Sequence, residues 1–144
     1  MFEPVQLNLP AYPFKIKQET GVNFIFDDIR KKFLVLTPEE WVRQHFVQFI
    51  IQEKKYPKTL IKLHSLQKRT DIVVFNSQGK KILMIECKAP SVAINQKVFD
   101  QIARYNIVHK IPLLAVSNGL QHYYCTIDFE AKNYKFIESL PEYK

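Results

Sequence analysis

Apolar and polar positions along this chain fall into two alternating periods. From Thr37 the spacing is helical, with Val42, Phe46, Phe49, Ile50 and Glu53 on one face. Thr37 is a good N-cap, Pro38 suits the first helical position, and Glu40 stands where a capping-box partner stands. Glu39 and Glu40 both suit the positive end of the helix. The helix is predicted to end near Lys54-Lys55, before Tyr56-Pro57.

The pattern then becomes β-like. Leu60–His64 reads as a strand, followed by Thr70–Phe75 and Lys81–Lys88, with Asn76-Ser77-Gln78-Gly79 as the turn of a hairpin. Ala89-Pro90-Ser91 breaks the strand. Helical spacing returns over 94–109, where Ile94, Val98, Ile102 and Tyr105 form an apolar stripe. Leu113–Val116 is a short, fully apolar run, typical of a buried parallel strand. Strand 82–87, helix 94–109 and strand 112–117 therefore form a βαβ unit, expected to be right-handed. His122–Ile127 and Tyr134–Ile137 read as closing strands. Residues 1–36, with Pro4, Pro10 and Pro13, read as an irregular extension with one or two short strands, packed on a core of residues 37–144. The length suits one domain overall.

Composition narrows the function classes. The 144 residues are 47% hydrophobic and 24% charged, an ordinary globular balance. Three glycines and no glycine-rich phosphate loop imply no nucleotide cofactor. No apolar run approaches the ~18 residues of a membrane span, and Met-Phe-Glu-Pro does not open a signal peptide. A cytoplasmic location is expected. Cys87 and Cys125 lack metal-ligand spacing, and so do the four histidines. The net charge of +7 favours a polyanionic partner. Its basic residues recur in pairs, as at Lys68-Arg69, which points to a folded basic face rather than a tail.

The candidate chemistry lies at two strand ends. Asp71 begins one apolar run, and Glu86-Cys87-Lys88 ends the next. Glu86 and Lys88 differ by two, so they share one strand face, and Cys87 points to the other. Two carboxylates and a lysine that converge make a hard, oxygen-lined cation site beside an amine. That is chemistry for Mg²⁺-assisted attack on phosphate. Singly, Asp71 reads as a strand-end charge, and Glu86 with Lys88 as a surface ion pair. Both carboxyl groups abut apolar runs, however, where unpaired charge is costly. Gln101 and Tyr105 differ by four and stack on one helix face.

The order helix, three strands, helix, strand resembles the PD-(D/E)XK nuclease core. It is closest to the N-terminal nuclease domain of type I restriction enzyme R subunits. The residues carrying the resemblance are Thr37–Arg43, Thr70–Phe75, Ile85–Pro90 and Gln101–Tyr105. The resemblance implies an α/β fold (α+β by some criteria), restriction-endonuclease-like, with a mixed central sheet flanked by helices, in the order αβββαβ with extra edge strands. It implies that Asp71, Glu86 and the Cys87 carbonyl hold Mg²⁺ or Mn²⁺. Lys88 then orients or deprotonates the attacking water. Glu39 or Glu40 supplies the acid of the first helix; Glu39, four residues before Arg43, is preferred. Gln101 and Tyr105 match a Gln-x-x-x-Tyr motif that supports the site and contacts nucleic acid. Thr70 stands where the family name has proline.

The implied function is Mg²⁺-dependent hydrolysis of DNA. The expected partners are DNA and either a separate protein subunit or a second copy of the chain. Lys68, Arg69, Lys97 and Arg104 are the candidate phosphate contacts. The alternative is a DNA- or protein-binding module that keeps the nuclease fold without turnover.

Overall fold

The structure, a computed structural model, describes residues 4–63 and 72–144. Asp71, Lys68 and Arg69 lie outside the described residues. The described residues have a mixed α/β architecture with two α-helices and two sheets. β1 (Ile16–Glu19), β2 (Val22–Asp27) and β3 (Lys32–Val35) form an antiparallel meander. Its turns use left-handed backbone at Thr20-Gly21 and at Lys31. Asp27 accepts from the amides of Ile29 and Arg30 to shape the second turn.

The larger sheet follows α1 (Pro38–Gln52) and a short 3-10 turn over Lys58–Leu60. Its strands are β4 (Ile61–Leu63), β5 (Ile72–Phe75), β6 (Lys81–Cys87), β7 (Leu113–Ser117), β8 (His122–Asp128) and β9 (Asn133–Ile137), in that order across the sheet. α2 (Gln96–His109) crosses from β6 to β7, the one parallel pair among the described strands. The order from α1 to β7 is the expected αβββαβ, and β8 and β9 are the extra edge strands.

Strand alternation divides the core into two layers. Leu83, Ile85 and Cys87 of β6 pack beneath α1 with Val42, Phe46 and Ile50. Met84 packs beneath α2 with Phe99, Ile102, Leu114 and Val116. α1 is buried well beyond its apolar stripe, because the N-terminal segment covers its other side. Trp41 Nε1 donates to the Val5 carbonyl, and His45 packs against Phe14 and Trp41. Gly119, at φ +86°, closes the β7–β8 turn directly under Leu7; an added Cβ would stand 2.7 Å from Leu7 Cδ2. No described helix is long and apolar enough to cross a membrane.

Thr37 caps α1 as expected, accepting from the Glu40 amide at 3.0 Å. The second half of the predicted capping box differs. Glu40 turns its carboxylate forward along the helix, to Arg43 and Gln44. Its side chain is buried, so its oxygens are satisfied by charge and amide partners rather than by the cap.

Candidate active site

The residues that end β6 are set by its two neighbours. On one side β5 runs antiparallel, with Ile72 opposite Ile85. On the other side β7 runs parallel, with Glu86 beside Val116 and Cys87 beside Ser117. The ladder continues one residue beyond β6, where the Lys88 amide donates to the Ser117 carbonyl at 2.8 Å. Glu86 and Lys88 therefore emerge on the face that carries Met84, and Cys87 turns into the core beneath α1.

The Glu86 and Lys88 side chains meet. Glu86 Oε2 lies 3.8 Å from Lys88 Nζ. The Glu86 side chain is 6% exposed and that of Lys88 32%. A nearly buried carboxylate thus stands beside a solvent-reaching ammonium. At this distance the pair is ionic, and the Lys88 N–H groups are not committed to Glu86 by a hydrogen bond.

Asn118 braces this strand end. Its Nδ2 donates to the Val92 carbonyl, in the loop after β6, and its Oδ1 accepts from the amides of Leu120 and Gln121. One buried side chain thus ties the loop beyond Lys88 to the turn beyond β7. The crevice outside the carboxyl ends of parallel strands is where open α/β sheets place ligands. No spacing in the sequence marks an asparagine that braces a neighbouring strand.

α1 holds a second charged group. Arg43 Nη1 lies 2.5 Å from Glu40 Oε1, and Arg43 Nη2 lies 3.6 Å from Glu39 Oε1. Glu40 and Arg43 are buried, and the Glu39 side chain is 46% exposed. Gln44 Nε2 completes the group by donating to Glu40 Oε2 at 2.8 Å. The sequence reading prefers Glu39, whereas Glu40 is the one held in a fixed, desolvated position.

α2 packs on β7, β8 and β9. Gln101 is exposed, as are Lys97 and Arg104 on the same outer surface of α2. Tyr105 is half-buried against the α2 core layer and lies 4.0 Å, centroid to centroid, from His109.

The site offers oxygen ligands only. Glu86 brings a carboxylate, and the main-chain carbonyl of Cys87 follows it in the strand. Hard oxygen donors suit Mg²⁺ or Mn²⁺ rather than a softer metal. Among the described residues, no cluster of three or more His, Cys, Asp or Glu is placed to hold a metal. Asp71, which precedes Ile72 in the chain, lies outside the described residues. Both cysteines are buried thiols, and burial pushes that of Cys125 up to about 12.

The family described as type I restriction enzyme R protein N terminus matches residues 38–141, from the start of α1 to beyond β9. No curated protein and no solved structure matches the chain at a significant level.

Proposed function

We propose, for a chain that belongs to the family of type I restriction enzyme R protein N termini, that it is a metal-dependent nuclease domain hydrolysing phosphodiester bonds in DNA. The observation that carries the reading is the pairing of a nearly buried Glu86 with Lys88 at the carboxyl end of β6. Asp71 and Glu86 are assigned as the acidic metal ligands, with the Cys87 carbonyl as the third protein donor. The β5–β6 ladder supports this. Its last described pair is Ile72 with Ile85. Asp71 and Glu86 are the residues next to that pair in the sequence.

Bound there, Mg²⁺ would polarise the scissile phosphate and lower the pKa of a bound water. The chain's own residues do the rest. Lys88 holds the attacking water through its N–H groups and offsets negative charge that develops on phosphorus-bound oxygen. The bond from its amide to Ser117 fixes its backbone, and Asn118 fixes the loop that follows. Glu40, locked by Arg43 and Gln44, is assigned as the first-helix acid that supports the site. Lys97 and Arg104, exposed on α2 beside Gln101, are assigned to phosphate contacts, together with Lys68 and Arg69.

A crystal soaked in Mn²⁺ tests the assignment. An anomalous peak beside the Glu86 carboxylate is expected. Peaks elsewhere with none beside Glu86 would rule out this metal site.

A further inference from the structure

The β1–β2–β3 sheet precedes the segment that the family shares, and its two faces differ sharply. Ile25 and Asp27 face inward and are fully buried. The opposite face carries Phe24 and Phe26 from β2 and Phe33 from β3, all half-exposed. Val22 and Val35 stand on the same face at 40% and 52% exposure. Phe26 and Phe33 are cross-strand partners with ring centroids 5.2 Å apart. Lys17 is paired with Phe24 across the β1–β2 ladder.

The rings present their faces, because lysines lie across them. Lys17 Nζ is 4.4 Å from the Phe33 centroid and 5.8 Å from that of Phe24, and Lys15 Nζ is 5.4 Å from that of Phe26. A π-face that a mobile lysine can reach is a face that a planar base can reach. The displaced ammonium is then in place to meet the phosphate beside that base. The same face runs into a cleft of about 220 Å³ against α1, which Lys15 and Phe26 share with Tyr12, Gln48 and Asp28, whose carboxylate is paired with Lys31 and Lys58. The Tyr12 hydroxyl is buried there and has no hydrogen-bond partner among the described residues. Aromatic walls with the half-exposed Gln48 amide between them suit one unstacked base, flat and apolar on its faces and polar at its edge.

We propose that this face and its cleft form a second nucleic-acid surface, one that binds single strands. Bases stack on Phe24, Phe26 and Phe33, and phosphates pair with Lys15 and Lys17. Stacking on aromatics with lysines along the backbone is recognition that tolerates any sequence. The assignment does not depend on catalysis at Glu86 and Lys88, so binding and cleavage are tested apart.

The experiment is fluorescence anisotropy of a labelled ten-nucleotide single strand and of the matching duplex, with chelator present to prevent cleavage. Tighter binding to the single strand is expected. Phe24→Leu with Phe33→Leu keeps the apolar packing and removes two stacking faces. This pair should weaken single-strand binding about tenfold or more, with duplex binding and the thermal unfolding midpoint little changed. Lys15→Ala with Lys17→Ala should flatten the single-strand salt slope by about 1.4 units, at about 0.7 per lost contact. Equal single-strand affinity in wild type and the leucine pair overturns the proposal. So does an absence of single-strand binding at low salt by the folded protein, which would leave the rings as a protein-docking face.

Discussion

Glu86 and Lys88 stand two residues apart on one face of β6, their carboxylate and ammonium 3.8 Å apart. The distance is too long for a hydrogen bond, and Lys88 reaches solvent. Because the ammonium stands in reach of water and makes no hydrogen bond to the carboxylate, the contact does little to hold the fold. Lys88→Ala is therefore expected to move the urea midpoint only slightly. A large loss of stability in that variant would mark Lys88 as a structural ion-pair partner instead.

Glu40 is expected to behave in the opposite way. It shares a desolvated position with Arg43 and Gln44 on the first turns of α1. Removing one member of a buried ion pair leaves the other charge poorly compensated, at a cost of about 3 kcal/mol. Glu40→Ala should lose about that much in urea unfolding. The half-exposed Glu39→Ala should lose about 1 kcal/mol or less. Equal effects at the two positions would contradict the assignment of Glu40 as the fixed acid.

Stability should also depend on two histidines. Burial holds the imidazoles of His45 and His122 below the ordinary 6.5. His45 Nδ1 bonds the Trp41 carbonyl; His122 bridges Ser117 Oγ and the Asn8 carbonyl. The unfolded chain takes up these protons near pH 6.5, while the folded chain resists until lower pH. Stability is therefore full above pH 6.5 and falls as pH drops through the lower folded values. The slope is at most about 1.4 kcal/mol per pH unit for each histidine. Urea midpoints at pH 7.5 and 5.5 measure it. Substituting both histidines by Gln should flatten the dependence, and a wild-type midpoint that does not fall by pH 5.5 would contradict it.

Duplex binding should rest on phosphate contacts from the outer surface of α2. Lys97→Ala with Arg104→Ala should weaken binding to all sequences alike. The slope of log affinity against log salt should flatten by about two units, one per lost contact. An unchanged slope would place the duplex on another surface.

Much of this fold was legible where local chemistry and periodicity agree. Thr37-Pro38 marks the start of α1 because an N-cap and an N1 proline act within a single turn. The apolar run of Leu113–Val116 reads as a buried strand because both of its faces meet a helix layer. β1–β3 were less legible, read as one or two short strands where there are three. Their turns depend on left-handed backbone at Thr20 and Lys31, residue types that carry no turn signal of their own. At the site, the two-residue spacing of Glu86 and Lys88 was enough to place both on one face. Between Glu39 and Glu40, spacing favoured Glu39, four residues before Arg43, yet Glu40 is the buried one. What buries Glu40 is a tertiary environment, in which the N-terminal segment wraps the side of α1 that an amphipathic helix would leave to water. The brace at Asn118 depends on a loop 26 residues earlier in the chain, beyond the reach of any local pattern.

The most direct measurement is cleavage of DNA by wild type and Lys88→Ala, side by side, with Mg²⁺ or with chelator, each protein's DNA binding measured in the same buffer. The account predicts that wild type cuts only when Mg²⁺ is present. Lys88→Ala should bind as well as wild type and cut at least a hundredfold more slowly, the lower end of general acid–base contributions of about 10²–10⁴. Tight binding by wild type with no cleavage in Mg²⁺ or Mn²⁺, or equal cleavage by Lys88→Ala, would contradict it.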